Sequence, residues 1–252
     1  MTSNRIDAAA KHLLDARRNG FRLEGLSSEY IPADRETAFA IQDALIAQSG
    51  EEIGGWKIAA DAGPDPLCSP LLASAYRLPD EPLGMERTMA TIVEAEVAVS
   101  IGSDLPPRDR NYTDEEIEAA IAAARPALEV LGTRFNRSFV IPPLLAVADL
   151  QNNSAVVAGP EDKDWRKIDF STLPIRLGIG GDRVLEVDRG ASKTEIVTAL
   201  TWLANTRARR HGGLKAGQII ITGSRVNLPI GQPGDRITAD FGALGTIAIS
   251  LI

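Results

Sequence analysis

Residues 91–101 read TIVEAEVAVSI. Ile92, Val93, Val97, Val99 and Ile101 supply the β-branched bulk that strands favour. Two acids, Glu94 and Glu96, stand in the middle of the stretch, two residues apart. A strand turns successive side chains to opposite faces, so both carboxylates share one face, roughly 6.5–7 Å apart along the chain. Val93, Ala95, Val97, Val99 and Ile101 take the other face, the expected core side.

Downstream of this strand the sequence is mostly β, with interspersed helices. A loop is expected over 102–112, then a helix opened by a Thr113–Glu116 capping box in TDEEIEAAIAAA, with Pro126 beyond its end. ALEVLGTRF (127–135) and NSAVVAG (153–159) read as strands. PIRLGIGGDRVLEV (174–187) reads as a hairpin turning at Gly180, Gly181 and Asp182. A second capping box, Ser192–Glu195, opens a helix with Ile196, Leu200 and Leu203 on one side. QIIITGS (218–224) and GTIAISLI (245–252) are late strands.

Upstream the pattern is helical. NRIDAAAKHLLDARRNG (4–20) gathers Ile6, Ala10, Leu13 and Leu14 near one face and stops at Gly20. PADRETAFAIQDALIAQSG (32–50) has Asp34 as N-cap, Ala38, Ile41 and Leu45 at helical spacing, and Gly50 as its stop. WKIAA (56–60) reads as a short strand, and the proline-bearing stretch 62–72 as a loop. Helices first, then strands with scattered helices, point to an α+β chain and not to regular βαβ alternation. The expected division is a helical N-terminal part, 1–55, and a mixed-β core, 56–252.

The bulk numbers exclude several function classes. The chain has 252 residues, 44% of them hydrophobic, and 27 basic against 34 acidic residues give a net charge of −7. That balance argues against nucleic acid or an anionic membrane as partner. No apolar run approaches the ~20 residues of a membrane helix, and the amphipathic N-terminus lacks a signal core. A cytoplasmic location is expected. One cysteine, Cys68, excludes an internal disulfide and a thiolate zinc cluster. It reads as a buried, inert thiol. The two histidines are His12, on the first helix and expected to be exposed, and His211, at a helix end. RARRH (207–211) reads as the solvated basic end of that helix, or alternatively as a subunit contact. GIGGDR (178–183) is no dinucleotide loop, because a strand follows it.

A third acid, Glu129, also lies inside an apolar strand pattern. Buried carboxylates without partners are costly, and several together repel unless a cation neutralises them. An oxygen-only ligand set suits Mg²⁺ or Mn²⁺. The plainer alternative is a strand face open to water that carries Glu94 and Glu96 for solubility.

Five stretches occur in order over almost the whole chain: 38–59 (AFAIQDALIAQSGEEIGGWKIA), 91–106 (TIVEAEVAVSIGSDLP), 124–135 (ARPALEVLGTRF), 214–224 (LKAGQIIITGS) and 233–251 (PGDRITADFGALGTIAISL). Together they resemble the 2-keto-4-pentenoate hydratase and 4-oxalocrotonate decarboxylase family of the fumarylacetoacetate hydrolase superfamily. The resemblance implies a helical N-terminal part and a rolled, mixed β-sheet catalytic core. It implies that Glu94, Glu96 and Glu129 ligate one divalent cation, Mg²⁺ or Mn²⁺. It also implies a small-molecule 2-keto or 2-hydroxy acid as substrate and a homo-oligomeric enzyme.

Lys57, in GGWKIA, matches a family lysine and is the candidate proton carrier. On a half-buried strand near a metal a lysine can have a lowered pKa and shuttle a proton, or hold the substrate carboxylate; the plainer reading is a surface lysine next to a tryptophan. Gly54 and Gly55 fit a close backbone approach or a simple turn. Thr222 and Ser224 flank Gly223 at a strand end where the family carries a similar TG[ST]; they line the substrate site or make a strand-to-loop turn. The chain departs from the family after Asp149. LQNN (150–153) replaces the usual residues, and Gln151 and Asn153 either replace polar pocket contacts or are plain loop residues. The loop after Lys57 is also short.

The expected activity is a metal-dependent hydratase acting on a 2-hydroxy-2,4-dienoate, as in aromatic meta-cleavage pathways. The alternative is a decarboxylase of a 2-keto-enedioate at the same site. A C–C hydrolase of acylpyruvates ranks lower, because no histidine stands near the glutamates in sequence. A non-catalytic partner subunit with the same fold is the reading of a different class.

Overall fold

A computed structural model describes residues 1–79, 81–136, 138–181 and 183–252. Its N-terminal part is helical. α1 (Ser3–Asn19) ends on Gly20 at φ 67°, a left-handed stop that glycine adopts without a Cβ clash. α2 (Arg35–Ser49) starts at Asp34, whose carboxylate accepts from the Thr37 N–H, and stops at Gly50. Ala10, Leu13 and Leu14 of α1 and Ala38, Ile41 and Leu45 of α2 enter the same core as the β-sheet.

β1 (Ile53–Ile58) follows, then β2 (Cys68–Leu72). The second strand corrects the expected loop: it is fully buried and antiparallel to β1, with Lys57 opposite Ser69 and Trp56 opposite Pro70. β2 lies at an edge of its sheet, where a proline without an N–H leaves no ladder bond unmade. β3 (Tyr76–Arg77) and a single turn, α3 (Met85–Thr88), lead to β4 (Ala90–Ile101), which contains the opening stretch.

α4 (Asp114–Ala120) has its capping box but is shorter than expected. The chain turns at Ile121 into β5 (Ile121–Gly132), which absorbs the alanine run and Pro126. Alanine favours helix intrinsically. Pairing with β4 from Ile101–Ile121 to Ala90–Gly132 overrides that preference. The remaining elements are α5 (Pro143–Ala148), β6 (Asn153–Ala158), β7 (Ile175–Ile179), β8 (Arg183–Val187), α6 (Lys193–Asn205), β9 (Ile219–Pro229), β10 (Arg236–Asp240) and β11 (Thr246–Ser250). Gly180 and Gly181 turn the β7–β8 hairpin at φ 63° and 86°. Asp182, the third residue of the expected turn, lies outside the described residues. α6 carries the expected Ser192–Glu195 capping box.

Seven strands form one sheet in the order β2-β1-β9-β4-β5-β6-β3, and four form a second, β11-β10-β7-β8. β1 and β9 run parallel, as do β3 and β6, within an otherwise antiparallel large sheet. Its two edge strands are joined through the short turn Ala73–Ala75, so the sheet curls into a roll. The Tyr76 hydroxyl, on β3, donates across to the Ile219 carbonyl on β9 at 2.7 Å. Gly55 sits at this closure: a Cβ there would lie 1.8 Å from the Ile219 oxygen and 2.2 Å from the Tyr76 hydroxyl. Val93, Ala95, Val97 and Val99 face outward into the main core. Ala98 shares the parity of Glu94 and Glu96 and packs with Leu71, Ala127, Val156 and Ile221 in a second, smaller apolar cluster. The molecule is thus α+β: a curled mixed sheet with a helical N-terminal part.

Candidate metal centre

The β4–β5 register puts Glu94 directly opposite Glu129. Glu96, two residues along β4, projects to the same side. One carboxylate oxygen from each of the three lies within 4.8 Å of the other two. Glu96 is 1% exposed and Glu129 0%, and Glu94 is half-buried. These values dispose of the water-facing strand: the shared face is the inside of the roll.

Each acid is held. The Gly223 N–H donates to Glu96 Oε2 at 2.7 Å; Gly223 has φ 109°, a conformation that favours glycine. Ser224, opposite Glu96 in the β4–β9 register, bonds the Glu94 carboxylate. Asn153 Nδ2 donates to Glu129 Oε1 at 2.8 Å. Lys57 Nζ, carried by β1, grips both Glu129 oxygens at 2.8 and 2.7 Å. Lys57 is therefore part of the cluster and not a surface lysine.

The electrostatics show what the cluster lacks. Burial, then the neighbouring Glu129 charge, pushes the Glu96 carboxyl well above the usual range. Burial also raises Glu94, against the pull of Lys57. Burial alone would lower the Lys57 ammonium, but Glu129, Glu96 and Glu94 together outweigh it and hold its pKa up. The three carboxylates support the ammonium. One ammonium faces three carboxylates. Arg225 feels Glu96, but its guanidinium donates to the carbonyls of Phe170 and Ala191, at 2.9 and 2.7 Å. A divalent cation would balance the remaining charge, and the all-oxygen donor set fits a hard ion.

The other candidates fall around this cluster in different ways. Thr222 is 2% exposed, and its hydroxyl donates to the Val97 carbonyl at 2.8 Å, tying β9 to β4. Gln151 Oε1 accepts from the Ser69 hydroxyl at 3.1 Å. That hydroxyl in turn accepts from Gln42 Nε2 at 2.8 Å. Asn153 Oδ1 is buried with no hydrogen-bond partner among the described residues.

The LQNN stretch has an unusual backbone. Leu150, Gln151 and Asn152 take φ of 52°, 51° and 59°, three consecutive non-glycine residues in the left-handed region. Each such residue costs on the order of 1–3 kcal/mol unless its surroundings impose the conformation. Two arginines do so here. Arg17 Nη1 donates to the Asn153 carbonyl at 2.7 Å, and Arg134 Nη2 to the Asn152 carbonyl at 3.2 Å. Both guanidinia pair with buried Asp149, Arg134 at 2.8 Å and Arg17 at 3.3 Å. Sequence reasoning missed this clamp and the Gly223 amide. The only signal for them was an arginine and a glycine inside GTRF and TGS, two of the recurring motifs.

Neither histidine is at the cluster. His12 is exposed and tilts against Tyr30. His211 Nε2 lies 2.9 Å from Asp43 and its ring packs edge-on against Trp56. The expected solvated basic end is corrected in part: Arg207 is 3% exposed and bonds Asp43, while Arg209 and Arg210 are exposed. Cys68 is buried, and burial pushes its thiol up to about 12, so it is inert. No helix among the described residues is long and apolar enough to cross a membrane.

No protein-family model matches the chain. Individual proteins do. A 2-keto-4-pentenoate hydratase of Dechloromonas aromatica is 27% identical over 253 residues, covering 96% of this chain and 95% of the relative. A 4-oxalocrotonate decarboxylase of Pseudomonas putida is 23% identical over 264 residues, covering 100% and 98%. Among solved structures, the 4-oxalocrotonate decarboxylase from Pseudomonas putida G7, complexed with magnesium and adipate, superimposes with a TM-score of 0.84. It is 22% identical and covers 100% of this chain and 99% of that one, a likeness of fold. Over its whole length, then, the chain is a relative of the 2-keto-4-pentenoate hydratases and 4-oxalocrotonate decarboxylase, with a fumarylacetoacetate hydrolase-like fold, as its five motifs foretold.

Proposed function

We propose that this chain is a divalent-metal-dependent hydratase, a lyase that adds water to a 2-hydroxy-2,4-dienoate or its 2-keto-4-enoate tautomer. The observation that carries the reading is the set of three convergent buried carboxylates whose charge Lys57 meets only in part. Glu94, Glu96 and Glu129 would hold Mg²⁺ or Mn²⁺. When bound, such an ion supplies the Lewis acidity that draws negative charge onto the oxygens of a 2-keto acid.

The residues divide the remaining work. The Gly223 amide and the Asn153 amide fix Glu96 and Glu129, so the carboxylates are set before substrate arrives. Lys57 Nζ carries the proton that must leave and rejoin the carbon chain as the double bonds shift. The roll shields Glu96 and Glu129 from bulk water and leaves Glu94 half-buried. Asn153 Oδ1 offers a buried acceptor without a partner among the described residues, which supports a substrate contact there. Gln151, Thr222 and Ser224 are the further candidate substrate contacts in this reading. The reading includes a cytoplasmic homo-oligomer, on the strength of the family resemblance.

Similarity to a 4-oxalocrotonate decarboxylase over the full chain favours one second reading, loss of CO₂ from a 2-keto-enedioate at the same site. The acylpyruvate hydrolase reading lacks a base, since both histidines are engaged elsewhere. The test is direct. Purified protein with Mg²⁺ is expected to bleach the conjugated ultraviolet band of 2-hydroxypenta-2,4-dienoate without releasing CO₂. Release of CO₂ from a 2-keto-enedioate selects the second reading, and no turnover on several dienoates with either metal sinks the first.

A further inference from the structure

Behind the wall that carries Asn153 lies a second charged centre of opposite sign. A cavity of about 210 Å³ opens between α1, the β2–β3 connection and the turn of α3. It shares no residue with the carboxylate cluster. Four arginines line it, Arg17, Arg18, Arg77 and Arg134, together with the hydroxyl-bearing Ser74 and Ser154. Among the described residues, the one acid in the lining is Glu51, which accepts from the Ser74 N–H. Asp149, behind the lining, is shared between Arg17 and Arg134. This local excess of positive charge stands in a chain of net charge −7.

The donors there are incompletely used. Arg17 Nε is buried and has no hydrogen-bond partner among the described residues. A buried N–H without an acceptor is costly, and more so on a charged group. Burial and the neighbouring Arg134 charge together pull the Arg17 guanidinium down to about 10, an exceptional displacement for an arginine. Among the described residues, Arg77 Nη1 donates to the carbonyls of Ser74 and Tyr76, at 2.5 and 3.1 Å. Arg18 donates to the Ser49 carbonyl. Guanidinia convergent on a small polar cavity are the standard recognition chemistry for oxyanions.

We propose that this cavity is a binding site for a small oxyanion of sulfate or phosphate size, held by Arg17, Arg18, Arg77 and Arg134. The site is coupled to the carboxylate cluster through one peptide segment. Arg17 and Arg134 hold the left-handed turn by the Asn152 and Asn153 carbonyls, and the Asn153 side chain holds Glu129. An anion that relieves the repulsion between the two arginines tightens the support of a metal-site wall from behind.

The test uses the full chain with Mg²⁺ and sulfate as probe, against sodium chloride at matched ionic strength. Calorimetric titration and thermal melting are the readouts. Wild type is expected to bind sulfate saturably in the millimolar range, with a melting temperature that rises and levels off. R77Q and R18Q each change a lining side chain outside the Asp149 clamp and are expected to need at least tenfold more sulfate. K57M, altered at the carboxylate cluster, is expected to respond as wild type does. A sulfate response no larger than chloride's, one unchanged in both arginine variants, or one lost in K57M would overturn the proposal.

Discussion

Two buried ion clusters sit on either side of the turn at 150–153, and they are mirror images in charge. On the inside of the roll, three carboxylates share one lysine. On the outside, two buried arginines share one aspartate. Both arise from strands and helices that bring like charges together where water does not screen them. The difference lies in how each excess is met. The outer cluster directs several of its donors at backbone carbonyls and thereby holds a strained turn, with Arg17 Nε left over. The inner cluster has no such outlet, since carboxylates accept and the nearby donors, Gly223, Ser224, Asn153 and Lys57, are too few. An excess of buried acceptors calls for a cation, whereas an excess of donors finds part of its work in the chain itself.

The contrast can be broken from either side. The largest effect is expected at the inner cluster: K57M should lower turnover by roughly 10²–10⁴-fold, the range of a lost general acid–base group. Mg²⁺ affinity measured on the same variant should persist, which separates a proton carrier from a metal-site scaffold. Next comes the outer cluster. D149N strands two buried guanidinia and is expected to destabilise the fold by about 3–5 kcal/mol, read by denaturant melting. If that variant melts like wild type, the clamp is not what holds the turn.

The residue between the clusters is expected to give an intermediate result. N153A should weaken Mg²⁺ binding or activity by about 10–100-fold, as the loss of a hydrogen bond to a metal ligand does, with a smaller change in melting temperature than D149N. The smallest effect concerns pH. Raised folded-state pKa values for Glu94 and Glu96 mean that the folded protein holds those protons longer than the unfolded chain. Without metal, these two acids therefore weaken the fold as pH rises from the unfolded carboxylate range through their raised values. Mg²⁺ binds the deprotonated acids, so its stabilising effect should grow over the same window and fade on acidification. Melting curves with and without Mg²⁺ across that range check the sign. A Mg²⁺ effect that grows as pH falls would contradict it.

Much of this was legible along the chain because it depends on local pattern. The two-residue spacing of Glu94 and Glu96 put them on one face, and the capping boxes at Thr113 and Ser192 and the glycine stops at Gly20 and Gly50 marked helix ends correctly. What failed depends on distant partners. Cys68–Leu72 looks like a loop because Pro64, Pro66 and Pro70 crowd it, yet Pro70 is harmless at a sheet edge. Residues 121–125 look helical until β4 is there to pair with them. The clamp was invisible for the same reason: Arg17 and Asp149 are 132 positions apart, and nothing near Arg17 marks it out from other arginines on an amphipathic helix.

The left-handed turn at Leu150–Asn152 has a consequence for how such a catalyst changes its diet. Its shape is imposed by α1 and the end of β5, through Arg17 and Arg134, and not by the preferences of its own residues. Side chains on a segment held in this way are free to be exchanged while the backbone path stays fixed. Under the proposed function, substitutions at Gln151 would then alter the substrate contact without disturbing the three acids, which are anchored in other strands. New reactants would be tried against an unchanged reaction centre.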